Sequence, residues 1–128
     1  MRTGSRYGYA IAAWLFVGAI VVQVFLAGQA ILNLGGSGTF ASHIEFGYTV
    51  MGILALIVLI SAIAARPGRR EIGIVLGLVI LYAVQTSLPY ARESMPAVAA
   101  LHPVNALFLF GLALWIARRA TSLARVAA

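Results

Sequence analysis

The 128-residue sequence contains no cysteine, no lysine and no aspartate, and its three acidic residues are all glutamate. Without cysteine, the chain cannot form disulfide bonds, ligate an iron–sulfur cluster or attach a prosthetic group through thioether bonds. No combination of nucleophile, base and orienting residue is visible, so hydrolytic and group-transfer enzymes are disfavoured. Charged residues make up 9% of the chain and hydrophobic residues 62%, with a mean hydropathy of +1.01. This composition lies far from that of soluble proteins.

Four long apolar runs occupy nearly the whole chain, at about residues 9–32, 43–65, 72–90 and 97–117. A helix rising ~1.5 Å per residue crosses roughly 30 Å of hydrocarbon in about 20 residues, so each run predicts a membrane-spanning helix. The connections between the runs are short, and short connections make sequential helices antiparallel neighbours. The sequence therefore predicts an all-α fold, an integral membrane up-down-up-down four-helix bundle that forms one domain over residues 1–128.

The basic residues indicate topology rather than a nucleic-acid partner. Eight of the nine arginines flank the runs on one side, whereas Arg92 stands alone on the other. Because cytoplasmic loops carry an excess of arginine and lysine, both termini are expected in the cytoplasm. The first run is much longer than the core of a secretory signal, so we expect it to be retained as a helix. The eight arginines are Arg2, Arg6, Arg66, Arg69, Arg70, Arg118, Arg119 and Arg125.

The two histidines, His43 and His102, lie near the same end of the second and fourth runs. Ionisable groups inside a membrane are costly, and they mark functional sites by default. In an up-down-up-down bundle these two helices lie diagonally across the core. Gly47 and Ala106 each follow a histidine by four residues, on the same helix face, and leave a gap suited to a flat macrocycle. The pattern predicts a haem b bound between His43 and His102 as metal ligands, with Gly47 and Ala106 lining the cofactor and Arg92 available to a propionate.

The distances along the chain from each histidine to the arginine at the end of its run argue against binding of one iron by both histidines. His43 precedes Arg66 by 23 residues, whereas His102 precedes Arg118 by 16. At ~1.5 Å per residue, the two imidazoles are then expected to differ in depth by roughly 10 Å. A zinc site is disfavoured because two histidines and Glu45 do not make a closed set of ligands.

Two segments carry a resemblance to known proteins, His43-Ile44-Glu45-Phe46-Gly47 and Leu101-His102-Pro103-Val104-Asn105-Ala106-Leu107. They resemble the histidine helices of an uncharacterised family of small four-helix bacterial membrane proteins. More distantly they resemble four-helix bundles of b-type cytochromes, in particular one half of heme A synthase, whose helices two and four present histidines to a b-type haem. The resemblance implies a multi-pass protein of the bacterial inner membrane. Heme A synthase has two halves and a catalytic glutamate near a haem ligand, whereas here Glu45 lies about 200° around the helix from His43.

Three functions remain open from the residues. The first is a b-type cytochrome-like protein for electron transfer or haem handling. The second is a non-haem structural or accessory subunit of a membrane complex, and the third is a pathway for small molecules or protons. The expected partners are the lipid bilayer, a redox partner such as a quinone near Gln85 and Tyr82, and complex subunits or further copies of the chain.

Three further features carry structural expectations. Gln23 is expected to act as a packing or second-layer group. Glu71 is expected to complement the positive start of the third helix and to pair with Arg69 or Arg70. Gly73 and Gly77 form a small-xxx-small pair that predicts a close helix contact.

Overall fold

The computed structural model describes residues 2–126, which are almost entirely helical. Within these residues, four stretches are long and apolar enough to cross a membrane by length and composition, which confirms the prediction of an all-α chain with four such helices. They indicate a multi-pass membrane protein. The helices are α1 (Arg2–Ala30), α2 (Ala41–Ala65), α3 (Arg69–Ser87), α4 (Pro96–Ala99) and α5 (Leu101–Arg125), with short 3₁₀ helices at Leu32–Leu34 and Leu88–Arg92.

The helix ends differ most from the apolar runs at the two ends of the chain. Helix α1 begins seven residues before residue 9, and α5 continues eight residues beyond residue 117. Hydropathy detects only the apolar part of a helix, whereas the arginine and alanine residues at the end of α5 favour helical geometry without extending the apolar run. The fourth span is also divided, because α4 ends at Ala99 and α5 starts at Leu101.

Helix α1 packs against α2 and α5, and α3 packs against the same two helices. Among the described residues, no backbone contact joins α1 to α3 or α2 to α5. Much of the buried surface is alanine, which allows close approach of helices where lipid supplies no hydrophobic driving force. The largest fully buried side chains are Tyr9, Phe16, Val58, Val75, Leu78 and Ile116.

The loop after α1 returns the chain sharply and brings the start of α2 beside the end of α1. The backbone N–H groups of Ser37 and Gly38 donate to the last carbonyls of α1, those of Gln29 and Ala30, at 2.8 and 3.1 Å. Gly36 lies against the Gln29 carbonyl and has no room for a Cβ atom. These bonds satisfy carbonyls that every helix end leaves without a partner, and they fix α2 next to α1.

The opposite end of the bundle is held by an ion pair between α3 and α5. Arg119 Nε donates to Glu71 Oε1 at 2.9 Å, with the Glu71 side chain 10% exposed and that of Arg119 47% exposed. The expected pairing of Glu71 with Arg69 or Arg70 is therefore wrong. Both neighbouring arginines are exposed at the start of α3, whereas Arg119 reaches Glu71 across the helix interface.

Candidate functional site

His43 and His102 come together at one end of the bundle. His43 lies in the first turn of α2 and His102 in the first turn of α5, and both side chains are partly buried. Their ring centres are 6.2 Å apart, with the ring planes at 70°. The expected depth difference of roughly 10 Å is therefore wrong. Helix α5 does not end near Arg118 but continues to Arg125, so Arg118 is not level with Arg66 at the end of α2.

Each imidazole donates a hydrogen bond to the main chain of the preceding long helix. His43 Nδ1 lies 3.0 Å from the backbone oxygen of Gln23, and His102 Nδ1 lies 2.9 Å from the backbone oxygen of Gln85. A carbonyl oxygen can only accept, so Nδ1 carries the hydrogen in both rings and Nε2 keeps its lone pair. A second partner of this kind, which fixes the tautomer, is typical of histidines that bind metals.

The same two glutamines also contact the other ring nitrogen. Gln23 Nε2 lies 3.3 Å from His43 Nε2, and Gln85 Nε2 lies 3.2 Å from His102 Nε2. Because each Nε2 of the imidazoles is an acceptor, the amide groups donate to them. Every ring nitrogen of the two histidines thus has a partner from one glutamine, with the backbone of that residue on Nδ1 and its side chain on Nε2.

The chain therefore repeats one arrangement, a glutamine near the end of one long helix and a histidine at the start of the next. Gln23 precedes His43 by 20 residues, and Gln85 precedes His102 by 17. Sequence reasoning recognised both glutamines as polar residues within the spans but did not pair them with the histidines. The similar Gln-to-His spacing across two consecutive helix pairs was the signal that could have found the pairing.

The two Gln–His pairs differ in whether the side-chain oxygen of the glutamine has a hydrogen-bond partner. Gln85 Oε1 accepts from Asn105 Nδ2 at 2.8 Å, and Asn105, which is buried, also donates to the backbone oxygen of Leu81 at 3.0 Å. Gln23 Oε1 is buried and has no hydrogen-bond partner in the protein, although Gln23 Nε2 donates to the backbone oxygen of His43 at 2.8 Å. The position three residues after His43 is Phe46, which has no group equivalent to the Asn105 amide.

The space beside Gly47, which was expected to line a macrocycle, is occupied by another side chain. A Cβ at Gly47 would lie 2.7 Å from Gln23 Nε2, so the missing side chain makes room for the Gln23 amide. The Gly47 backbone oxygen accepts from Tyr82 Oη at 2.9 Å. Ala106 is partly buried at the corresponding place in α5.

The remaining residues considered for the site lie apart from this hydrogen-bonded group. Arg92 is in the 3₁₀ helix after α3, where its guanidinium is 3.8 Å from the Glu93 carboxylate and both side chains are largely exposed. Glu45 is exposed on α2. Within residues 2–126, no group of three or more histidine, cysteine, aspartate or glutamate residues could hold a metal ion.

Comparison with known proteins places the chain in a family but gives no activity. The sequence profile of a family described as "Family of unknown function (DUF6220)" matches residues 23–91, more than half of the chain. The chain belongs to this family. The matched region includes Gln23, His43 and Gln85 and ends before His102. No curated protein and no solved structure matches the chain, so neither comparison supports the resemblance to heme A synthase or to b-type cytochromes.

Proposed function

We propose that this member of the DUF6220 family is a b-type cytochrome-like membrane protein that binds one haem between His43 and His102, for electron transfer or haem handling. The observation that carries the proposal is that both imidazoles have the same tautomer, with the hydrogen on Nδ1. Both donate from Nδ1 to a backbone oxygen, at 3.0 and 2.9 Å, and both keep the Nε2 lone pair that a metal requires.

The separation of the two rings supports a shared iron. Two imidazoles that held one metal ion from opposite sides, with each nitrogen about 2.0 Å from the ion and each ring centre about 1 Å farther away, would have their centres roughly 6 Å apart. The ring centres of His43 and His102 are 6.2 Å apart. A haem would take two ligands from the protein, and the site offers two histidines, which belong to no group of three or more histidine, cysteine, aspartate or glutamate residues in the described part of the chain.

In this proposal the residues of the chain hold and orient the group. The backbone oxygens of Gln23 and Gln85 fix the direction of each imidazole, and the amide beside Gly47 gives way to the macrocycle. His43 and His102 would hold the haem, which would supply one-electron transfer rather than oxygen chemistry. Because Glu45 is exposed and lies about 200° around α2 from His43, we propose electron transfer or haem handling rather than the haem oxidation of heme A synthase. The proposed redox partner is a quinone or a subunit of a membrane complex.

The proposed setting is the bacterial inner membrane, with both termini in the cytoplasm and the histidines toward the outer leaflet. The four apolar helices and their contacts support an up-down-up-down bundle. The uneven distribution of arginine supports the orientation, since Arg92 is the one arginine of nine at the end of the bundle that carries the histidines.

The visible spectrum of the detergent-purified protein, after supplementation with haem, tests the proposal. The wild-type protein should show the spectrum of a low-spin b-type haem with resolved α and β bands. His43→Ala and His102→Ala should each abolish or convert that spectrum, because one ligand remains. Asn33→Ala, a change of an exposed polar residue outside the site, should leave it unchanged. A colourless wild-type preparation with intact helices would overturn the proposal.

A non-haem accessory subunit is the second candidate, and one observation favours it. All four ring nitrogens already have partners within the protein, so the two Gln–His pairs also form a satisfied set of contacts between helices. In that case neither histidine substitution changes a spectrum, and both lower stability and co-purification with the other subunits of the complex.

A further inference from the structure

We propose that the side-chain amides of Gln23 and Gln85 are displaceable caps on the two metal-binding nitrogens. This inference rests on the proposed function, because it concerns how the haem site is kept before haem binds. In each imidazole Nδ1 is engaged as a donor, so Nε2 carries the lone pair in the ring plane that iron would use. The amides of Gln23 and Gln85 lie 3.3 and 3.2 Å from those nitrogens and donate to them.

The backbone and the side chain of each glutamine have different tasks. The backbone oxygen is fixed by the helix and keeps the imidazole oriented whether or not iron is bound. The side-chain amide competes with iron for Nε2 and has to leave when iron binds. Substitution by alanine separates the two tasks, because alanine retains the backbone oxygen and removes the amide.

The two caps are held unequally. The Gln85 amide is anchored at its oxygen by Asn105, which is itself buried and bonded to the Leu81 oxygen. The buried Gln23 oxygen has no partner, and a buried polar atom without a partner is unfavourable. When the Gln23 amide turns away, it gives up the 2.8 Å bond from its Nε2 to the His43 backbone oxygen, but its unpartnered oxygen can gain a hydrogen bond. The Gln85 amide must give up the bond from Asn105, and its oxygen, which already has a partner, gains nothing in return. The structure therefore assigns His43 the more easily opened cap.

The state of the caps can be measured on the haem-free protein by ¹⁵N NMR of the histidine rings. Gln23→Ala should move the Nε2 signal of His43 toward that of a nitrogen without a hydrogen bond, while the Nδ1–H signal of His43 and both signals of His102 stay in place. Asn105→Ala should perturb the Nε2 signal of His102 alone. Gln29→Ala, which changes an exposed glutamine of the same helix, is the matched control and should change none of the four signals.

Titration with hemin then links the caps to binding. Removal of a competing hydrogen bond should tighten binding by roughly fivefold in Gln23→Ala, and Gln29→Ala should bind like wild type. If wild type binds hemin and Gln23→Ala binds it equally or more weakly, the cap is overturned while the haem site stands. An unchanged Nε2 signal in Gln23→Ala also overturns it. If no variant binds hemin, the proposed function fails and the displacement fails with it.

Discussion

Arg119, near the end of α5, donates a hydrogen bond at 2.9 Å to the buried carboxylate of Glu71 in the first turn of α3. Glu71 lies near the positive end of its helix and gains a second source of positive charge from Arg119. The pair joins α3 to α5 at the end of the bundle opposite the histidines. Loss of Arg119 would leave the buried Glu71 carboxylate without its ion-pair partner, and an unpaired buried charge is costly.

We expect Arg119→Leu to lower the free energy of unfolding by about 1–2 kcal/mol. A fully buried pair would lose about 3–5 kcal/mol, but the Arg119 side chain is 47% exposed and solvent screens much of its charge. Arg118→Leu is the matched control, since Arg118 is exposed on the same helix, and it should change stability by less than about 0.5 kcal/mol. Unfolding of the detergent-solubilised protein, followed by circular dichroism, measures both. Equal losses from the two substitutions would contradict the role of the ion pair.

A second prediction concerns Arg66, which ends α2 in the left-handed conformation with φ of 49°. A side chain in this region costs about 1 kcal/mol relative to glycine. Arg66→Gly should therefore raise the free energy of unfolding by roughly 1 kcal/mol, since the backbone N–H can still donate to the Ala62 and Ile63 oxygens. Arg66→Ala removes the same charge but keeps the unfavourable conformation. If the two variants are equally stable, backbone strain at this position is refuted.

The spans could be predicted from the sequence because hydropathy is a local property, and the four apolar runs correspond to four helices. Contacts between helices depend on the rotation of each helix about its axis and on loop geometry, which the apolar pattern does not encode. For this reason Glu71 pairs with Arg119 rather than with its sequence neighbours. Gly73 and Gly77 were expected at a close helix contact, yet no atom lies within 4 Å of a Cβ built at either one.

Part of the site could also be predicted from the sequence, namely the residues that are unusual in an apolar run. His43 and His102 stood out as rare ionisable residues, and the diagonal placement of their helices indicated that they meet, as their 6.2 Å separation shows. The contact of Gln23 with His43 was missed, although the similar Gln-to-His spacing in the two helix pairs pointed to it, because the contact also depends on the loop that fixes the end of α1 against the start of α2. The depth estimate failed because the sequence of α5 does not show that the helix passes through Arg118 without a break.

A third prediction tests the proposed orientation in the membrane. Reporter proteins fused at the C-terminus and inserted in the loop at Gly35–Gly38 should report opposite sides, with the C-terminal fusion in the cytoplasm. The expectation follows from the three spans that separate the two positions, together with the excess of arginine on one side. Reporters found on the same side would contradict both the number of spans and the diagonal placement of the two histidine helices.

The last prediction uses Gly47, where the structure leaves no space for a larger residue. A Cβ at this position would lie 2.7 Å from Gln23 Nε2, so Gly47→Ala should push the amide away from the His43 ring. The displaced atom is the end of a flexible side chain, so we expect a loss of only about 1 kcal/mol in stability. In the haem-free protein the Nε2 signal of His43 should shift by ¹⁵N NMR.

The larger substitution Gly47→Leu distinguishes a loss of space for the macrocycle from a loss of a histidine ligand. Leucine should fill the volume that the proposed macrocycle needs and lower haem occupancy, although both histidines remain. Gly111→Leu is the matched control, because a Cβ at Gly111 in α5 meets no atom within 4 Å and the residue is exposed. It should keep the haem occupancy of wild type. If Gly47→Leu retains full occupancy, the macrocycle does not lie against this face of α2, and the ligand pair would have to hold it in another plane.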